Sequence, residues 1–250
     1  MQRQRQRSSK FLGTLALVLI LGISGCASAP PPDQRSEIDP WEPLNRSVFG
    51  FNRALDKATT KPLAKGYRKI VPEPLKKGVS IFFRNLLTPA SVVNNFLQAK
   101  PEQGLSELGR FLFNSTVGIG GLFDVATAGG IADNREDFGQ TAAVWGIPDG
   151  PYFMLPIMGP STVRDTLLLP LRIISSPLYS YKNSSFRGKL TVLRIVDIRY
   201  RLLVTDKFLD ESKDPYVTLR ESYLQNREYE IFDGAPPEDD DFFDEFFDEE

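Results

Sequence analysis

The chain has 250 residues, a net charge of −2 and an ordinary apolar share of 41%, enough for one large domain or two small ones. It contains no histidine, which removes Ser–His–Asp and Cys–His catalysis and every His-ligated metal site, and one cysteine, which removes internal disulfides and thiolate clusters. Charge gathers at the ends, basic at the start and acidic from 234 to 250, while the middle is nearly balanced, which argues against nucleic acid as a partner.

Arg3, Arg5, Arg7 and Lys10 precede an apolar run from Phe11 to Gly25. A membrane-spanning helix needs about twenty apolar residues, so this shorter run reads as a signal peptide, 1–25. It ends Ile23-Ser24-Gly25-Cys26, small residues before a cysteine, like the lipobox cut by the bacterial lipoprotein signal peptidase. Cys26 then becomes the first residue of the mature chain and carries the acyl chains. Each buried methylene contributes about 0.8 kcal/mol, so three chains anchor durably. Ala27 follows, where in enterobacteria-like sorting an Asp would mark retention at the inner membrane. The reading is therefore an outer-membrane lipoprotein. Residues 26–40, rich in Pro and Ser, form a tether.

Leu44, Val48, Phe51 and Leu55 recur at helical spacing. Prolines at 62, 74, 89 and 101 each precede a helical pattern, which suits proline at a first turn, and Thr88 is placed to cap the helix that Pro89 would open. Leu75, Val79, Phe82 and Leu86 share one face. Val92, Val93, Phe96 and Leu97 mark the next segment, and Leu105, Leu108, Phe111 and Leu112 the third. Doublets of apolar residues widen these faces, since neighbours sit about 100° apart on a helix. Such faces belong to helices buried on several sides in a soluble core, or to helices lying in one membrane leaflet; the segments are too short to span it.

Gly118, Gly120 and Gly121 read as the start of a short apolar helix with Ile119, Leu122, Phe123, Val125 and Ala126. Glycines there let a backbone or a ligand approach closely. Asp124 is a lone acid among them. Gly118, Gly120, Gly121, Phe123 and Asp124 are therefore the candidates for lining a passage, with tight helix packing as the alternative. Residues 136–165 are dense in glycine and proline yet hold Phe138, Trp145, Tyr152, Phe153 and Met154. That stretch predicts a long irregular segment folded into the middle of the helices, with short strands left open around Tyr152–Pro156. Leu190, Leu193, Val196, Tyr200 and Leu203 mark a further helix, and Asp214-Pro215 opens a last one as cap and first residue. The acidic, Phe-bearing tail 233–250 repels itself into disorder.

Four ordered motifs, DPWEPLNRSVFGFN, NSTVGIGGLFDVA, EDFGQTAAVWGIPDGPYFMLPIMGPSTVRD and DPYVTLRESYLQNREYEI, resemble the MlaA (VacJ) outer-membrane lipoproteins. The resemblance covers a domain of residues 41–232. It implies a mainly α fold, a ring of short amphipathic helices embedded in the periplasmic leaflet around an amphipathic channel. It also implies removal of mislocalised phospholipid from the outer leaflet, hand-over to the periplasmic carrier MlaC, and trimeric porins as partners. No enzyme, metal or cofactor is implied. Three other functions fit the residues less well. A lipid acyl hydrolase lacks its motif, since Gly159-Pro160-Ser161-Thr162-Val163 misses the final glycine. A peptidoglycan glycosidase would need two of Glu136, Asp137, Asp149 and Asp165 to converge across a cleft. A scaffold for barrel assembly would need exposed surfaces but no channel. The lipobox gives the first prediction: membrane-extracted protein has an intact mass that corresponds to a chain beginning at Cys26 plus acyl groups. The mass of the bare polypeptide would refute it.

Overall fold

The computed structural model describes residues 37–237. The signal peptide, Cys26, most of the tether and most of the acidic tail lie outside the described residues. The fold is mainly helical. In chain order, α1 is Glu42–Leu55, α2 Lys61–Ile70, α3 Glu73–Leu97, α4 Pro101–Thr116, α5 Val125–Ala128 and α6 Phe138–Val144. A hairpin of β1 (Tyr152–Leu155) and β2 (Gly159–Thr162) follows. Then come α7 (Val163–Ile174), α8 (Pro177–Ser180), α9 (Ser184–Arg201), α10 (Asp206–Glu211) and α11 (Pro215–Ile231). The pair α3–α4 makes the most extensive helix contact, α9 lies against α2 and α3, and α11 touches α6 and β2.

Three of the four prolines sit in first turns as expected: Pro62, Pro74 and Pro101. Pro62 does so in a helical run that passes from α1 into α2 through a π-helical turn, Asp56–Thr60, where the Lys61 N–H reaches back five residues to the Asp56 carbonyl. The wider turn adapts the helix next to a residue that has no N–H to donate. Pro89 lies inside α3, so Thr88 caps nothing; its hydroxyl donates instead to the Arg84 carbonyl within the helix at 3.3 Å. The last helix keeps its predicted start, the Asp214 carboxylate accepting from the N–H groups of Tyr216 and Val217.

The stretch 136–165 is more regular than its composition suggests. Its breakers fall at element ends, with Gly146, Gly150 and Gly159 at positive φ in the turns. Asp137 and Gln140 form a reciprocal capping box that starts α6. Of its large apolar residues, Tyr152 and Met154 enter the interior as expected, whereas Trp145 is 60% exposed. Tyr152, Met154 and Tyr216 form the one cluster of fully buried apolar side chains among the described residues, packed by Val48, Phe49, Val217 and Leu219.

The hairpin is bound to α1 by two asparagines. Asn45 donates to the Tyr152 carbonyl at 3.2 Å and accepts from the Met154 N–H at 2.9 Å. Two turns later Asn52 repeats the pattern with the Leu155 carbonyl (2.9 Å) and the Ile157 N–H (2.7 Å). Asn45 also donates to Asp39, which is held in turn by Tyr216 and Arg220. Each buried polar group left unpaired costs about 1–3 kcal/mol. Asn45→Ala is therefore expected to lower the unfolding free energy by several kcal/mol and Asn52→Ala by less, its site being more open. Melting both variants in the same detergent checks this; an Asn52 effect equal to or above that of Asn45 would contradict it.

Candidate functional site

The helices face the opposite way from those of a soluble core. On α4 the buried positions are Gly104, Glu107, Arg110 and Asn114, spaced three, three and four. Leu105, Leu108, Leu112 and Phe113 lie on the outer side, Leu105 60% exposed. On α3 the buried positions include Asn85, Thr88, Ser91, Asn94 and Asn95, while Leu75, Val93, Phe96 and Leu97 are exposed. Both faces are legible in the sequence as helical periods. The apolar face alone leaves a soluble core and a leaflet-seated helix both open, and it is the polar stripe beside it that forms the interior. A buried polar stripe and a broad exposed apolar surface are each informative where an isolated exposed leucine is not.

Between α3 and α4 the polar stripes line a small cleft with Arg84, Asn85, Glu107, Arg110, Asn114 and Asp133 on its walls. Every charge here is answered. Arg110 donates to the Ile131 carbonyl (2.6 Å), to Thr127 (3.1 Å) and to both oxygens of Asp124 (3.2 Å). Arg84 meets Asp124 at 3.0 Å, and Asn114 donates to Asp124 at 3.1 Å while accepting from the Ala126 N–H. Asp124 is thus the anion of the cleft end and the cap of α5, its carboxylate accepting from the Thr127 N–H. Burial pushes its carboxyl pKa up, but hydrogen bonds from Thr127 and Asn114 and the Arg110 charge outweigh this and lower it to about 2.

The glycines do not start a helix; they end α4. The chain turns over through Ile119, Gly120 and Gly121, all at positive φ. Gly121 faces the side chain of Asn85, which an added Cβ would meet at 2.6 Å, and a Cβ at Gly118 would collide with the Asn114 and Phe123 carbonyls. Gly120 has open space beside it. Gly118, Gly121 and Asp124 therefore gather at one end of the cleft. Phe123, 57% exposed, joins Val117, Ile119 and Leu122 on the outer surface. Asp124 is central to the arrangement, Phe123 is not, and the two arginines that grip Asp124 were not foreseen.

The four carboxylates weighed for glycoside cleavage are each held by cations. Glu136 meets Lys100 at 3.0 Å, Asp149 pairs with Arg164, and Asp137 and Asp165 share Arg227 at 2.8 and 2.7 Å. Ser161 is buried, donating to the Thr162 carbonyl and accepting from Thr166.

Fold and site define a mainly α-helical protein of inverted polarity, charged within and apolar without. Among the described residues no helix is long and apolar enough to cross a membrane. The family model for the MlaA lipoprotein matches residues 37–230, and the chain belongs to that family. A relative in Rickettsia prowazekii is 40% identical over 77% of this chain and 78% of its own length. The intermembrane phospholipid transport system lipoprotein MlaA of Escherichia coli is 36% identical over 89% of this chain and 87% of its own. A solved structure, the subject of work on the "structural basis for maintenance of bacterial outer membrane lipid asymmetry", matches with a TM-score of 0.67 and 36% identity, covering 79% of this chain and all of that one.

The Asp124 cluster predicts a pH signature. A carboxylate with a depressed folded-state pKa contributes stability that is full above its unfolded value, near 3.9, and is lost as pH falls through about 2. Removing one partner of a buried ion pair costs about 3–5 kcal/mol. Asp124→Ala should therefore be destabilised by about that much at pH 7, with the difference from wild type shrinking as pH falls from about 4 to about 2. A difference that stays constant over this range would contradict the assignment.

Proposed function

We propose that this protein is an outer-membrane lipoprotein, anchored at Cys26, that removes mislocalised phospholipid from the outer leaflet and passes it to a periplasmic carrier of the MlaC kind. The observation that carries the reading is the inverted polarity of α3 and α4. Exposed leucine and phenylalanine on helices too short to span a bilayer suit a body seated in one leaflet. The polar stripe inside gives a headgroup a path that acyl tails could follow along apolar rims. The family and the relatives' role in phospholipid transport support the same reading.

On this reading residues 26–40 tether the domain of 41–232, the helices form a ring around an amphipathic channel, and trimeric porins hold the ring in the outer membrane. The passage runs along the inward stripes of α3 and α4; Gly118, Gly121 and Asp124 stand at its end, with Gly120 and Phe123 on the outer side of the turn. The protein performs no chemistry on the lipid: the absence of histidine and the cation-bound state of the candidate carboxylates both fit a conduit. Deleting the gene is expected to raise phospholipid exposed on the cell surface, and a plasmid copy to restore it; unchanged surface phospholipid would refute transport. A form beginning after Cys26, exported by a cleavable soluble signal, should stay with the membrane or require detergent, whereas a detergent-free soluble monomer would refute seating in the leaflet.

A further inference from the structure

Helix α9 carries a charged stripe distinct from the cleft between α3 and α4. Arg194, Asp197 and Arg201 follow at intervals of three and four, next to the buried Val196, while Val192, Ile195 and Leu202 lie exposed on another face. Asp197 is fully buried and accepts from Ser80 of α3 at 2.8 Å, so the stripe borders the side of α9 turned to the interior. Arg201 is 3.4 Å from Asp197. Arg194 is half-buried, and among the described residues no carboxylate lies within ion-pair distance of it and no acceptor takes its hydrogens. Its charged neighbours are Asp197, already taken by Ser80 and Arg201, and two cations, Arg201 two turns along and Arg172 in the last turn of α7. Burial, and then these two like charges, hold its guanidinium below the usual arginine range.

A partly desolvated cation without a counter-charge is costly, and like charges nearby raise the cost. Among the described residues the fully buried arginines each have one: Arg110 has Asp124, Arg164 has Asp149, Arg227 has Asp137 and Asp165. The structure assigns Arg194, flanked by Arg172 and Arg201, as a binding site for the phosphate of a phospholipid headgroup. A guanidinium presents a planar fork of donors that matches two phosphate oxygens, and a second arginine can take a third. The inference rests on the phospholipid-transport reading and adds to it a place where the headgroup pauses.

The test uses the full-length lipidated protein in a maltoside detergent, titrated calorimetrically with short-chain phosphatidylglycerol, short-chain diacylglycerol and inorganic phosphate. Arg194→Gln is expected to weaken phosphatidylglycerol binding about tenfold, Arg172→Gln to weaken it too, and Lys207→Gln, on an exposed surface, to leave it unchanged. Diacylglycerol, lacking the phosphate, should bind all variants alike. Arg194→Leu should also raise the melting temperature of the unliganded protein, since it removes a buried charge that no group offsets. Phosphatidylglycerol binding that ignores Arg194, or a lowered melting temperature in Arg194→Leu, would overturn the site while leaving lipid transport standing. Arg194-dependent binding of inorganic phosphate with no binding of either lipid would keep the anion site and refute the lipid reading.

Discussion

Arg110 is buried between α4 and the turn beyond it, and its guanidinium is surrounded by oxygen: the Asp124 carboxylate, the Thr127 hydroxyl, the Ile131 carbonyl. The rest of the structure depends on pairings of this kind. With apolar residues on the outside, the interior cannot be held by burying hydrocarbon from water; it is held by donors and acceptors that have nowhere else to go. Arg227 does the same for α6, α7 and α11, gripping Asp137, Asp165 and Glu230. Gly139 makes room for it, because a Cβ there would run into the guanidinium and the Asp165 carboxylate.

Such an interior adds little net stability. Desolvating two charges cancels most of their attraction, whereas removing one partner is expensive. The result is a body that is specific in arrangement without a large hydrophobic reserve. Its only packed apolar cluster among the described residues is small and sits under the hairpin, where Tyr152, Met154 and Tyr216 meet. Elsewhere the inward residues are polar enough to be wetted, which is what a route for a charged headgroup requires. The outer leucines and phenylalanines can rest in hydrocarbon, since the peptide groups in the middle of each helix are bonded within it.

How much of this the sequence shows depends on which physical rule was in charge. Local rules read well: Asp214 capping Pro215, Pro101 opening a helix and the period of α4 all follow from nearest neighbours, whereas the capping box at Asp137 is hidden by the glycines and prolines around it. Pro89 reads wrongly, because a proline that starts a helix and one that a longer helix absorbs look alike until the partner helices are known. The glycines of 118–121 could be seen as needing close approach, but not as a C-terminal turn with positive φ, since that depends on where Asn85 and Asn114 lie. The decisive feature, which face of each helix is inside, is invisible to periodicity. Leu105 and Arg110 repeat with the same spacing, and only the solvent outside decides between them. The family resemblance supplied what the pattern could not. Arg194 offers no pattern at all; it stands out only once its lack of a counter-ion can be seen.

The asparagines of α1 have a consequence for how copies of this protein behave when crowded in a membrane. A two-stranded hairpin has two free margins, each able to template a strand from another molecule. Here one margin is closed by Asn45 and Asn52, whose amides take the peptide groups that an incoming strand would need. The other margin carries Pro160 opposite Met154, a residue with no hydrogen to give. The sheet is complete at two strands, and its self-association through β-pairing is blocked on both sides by the residues that build it.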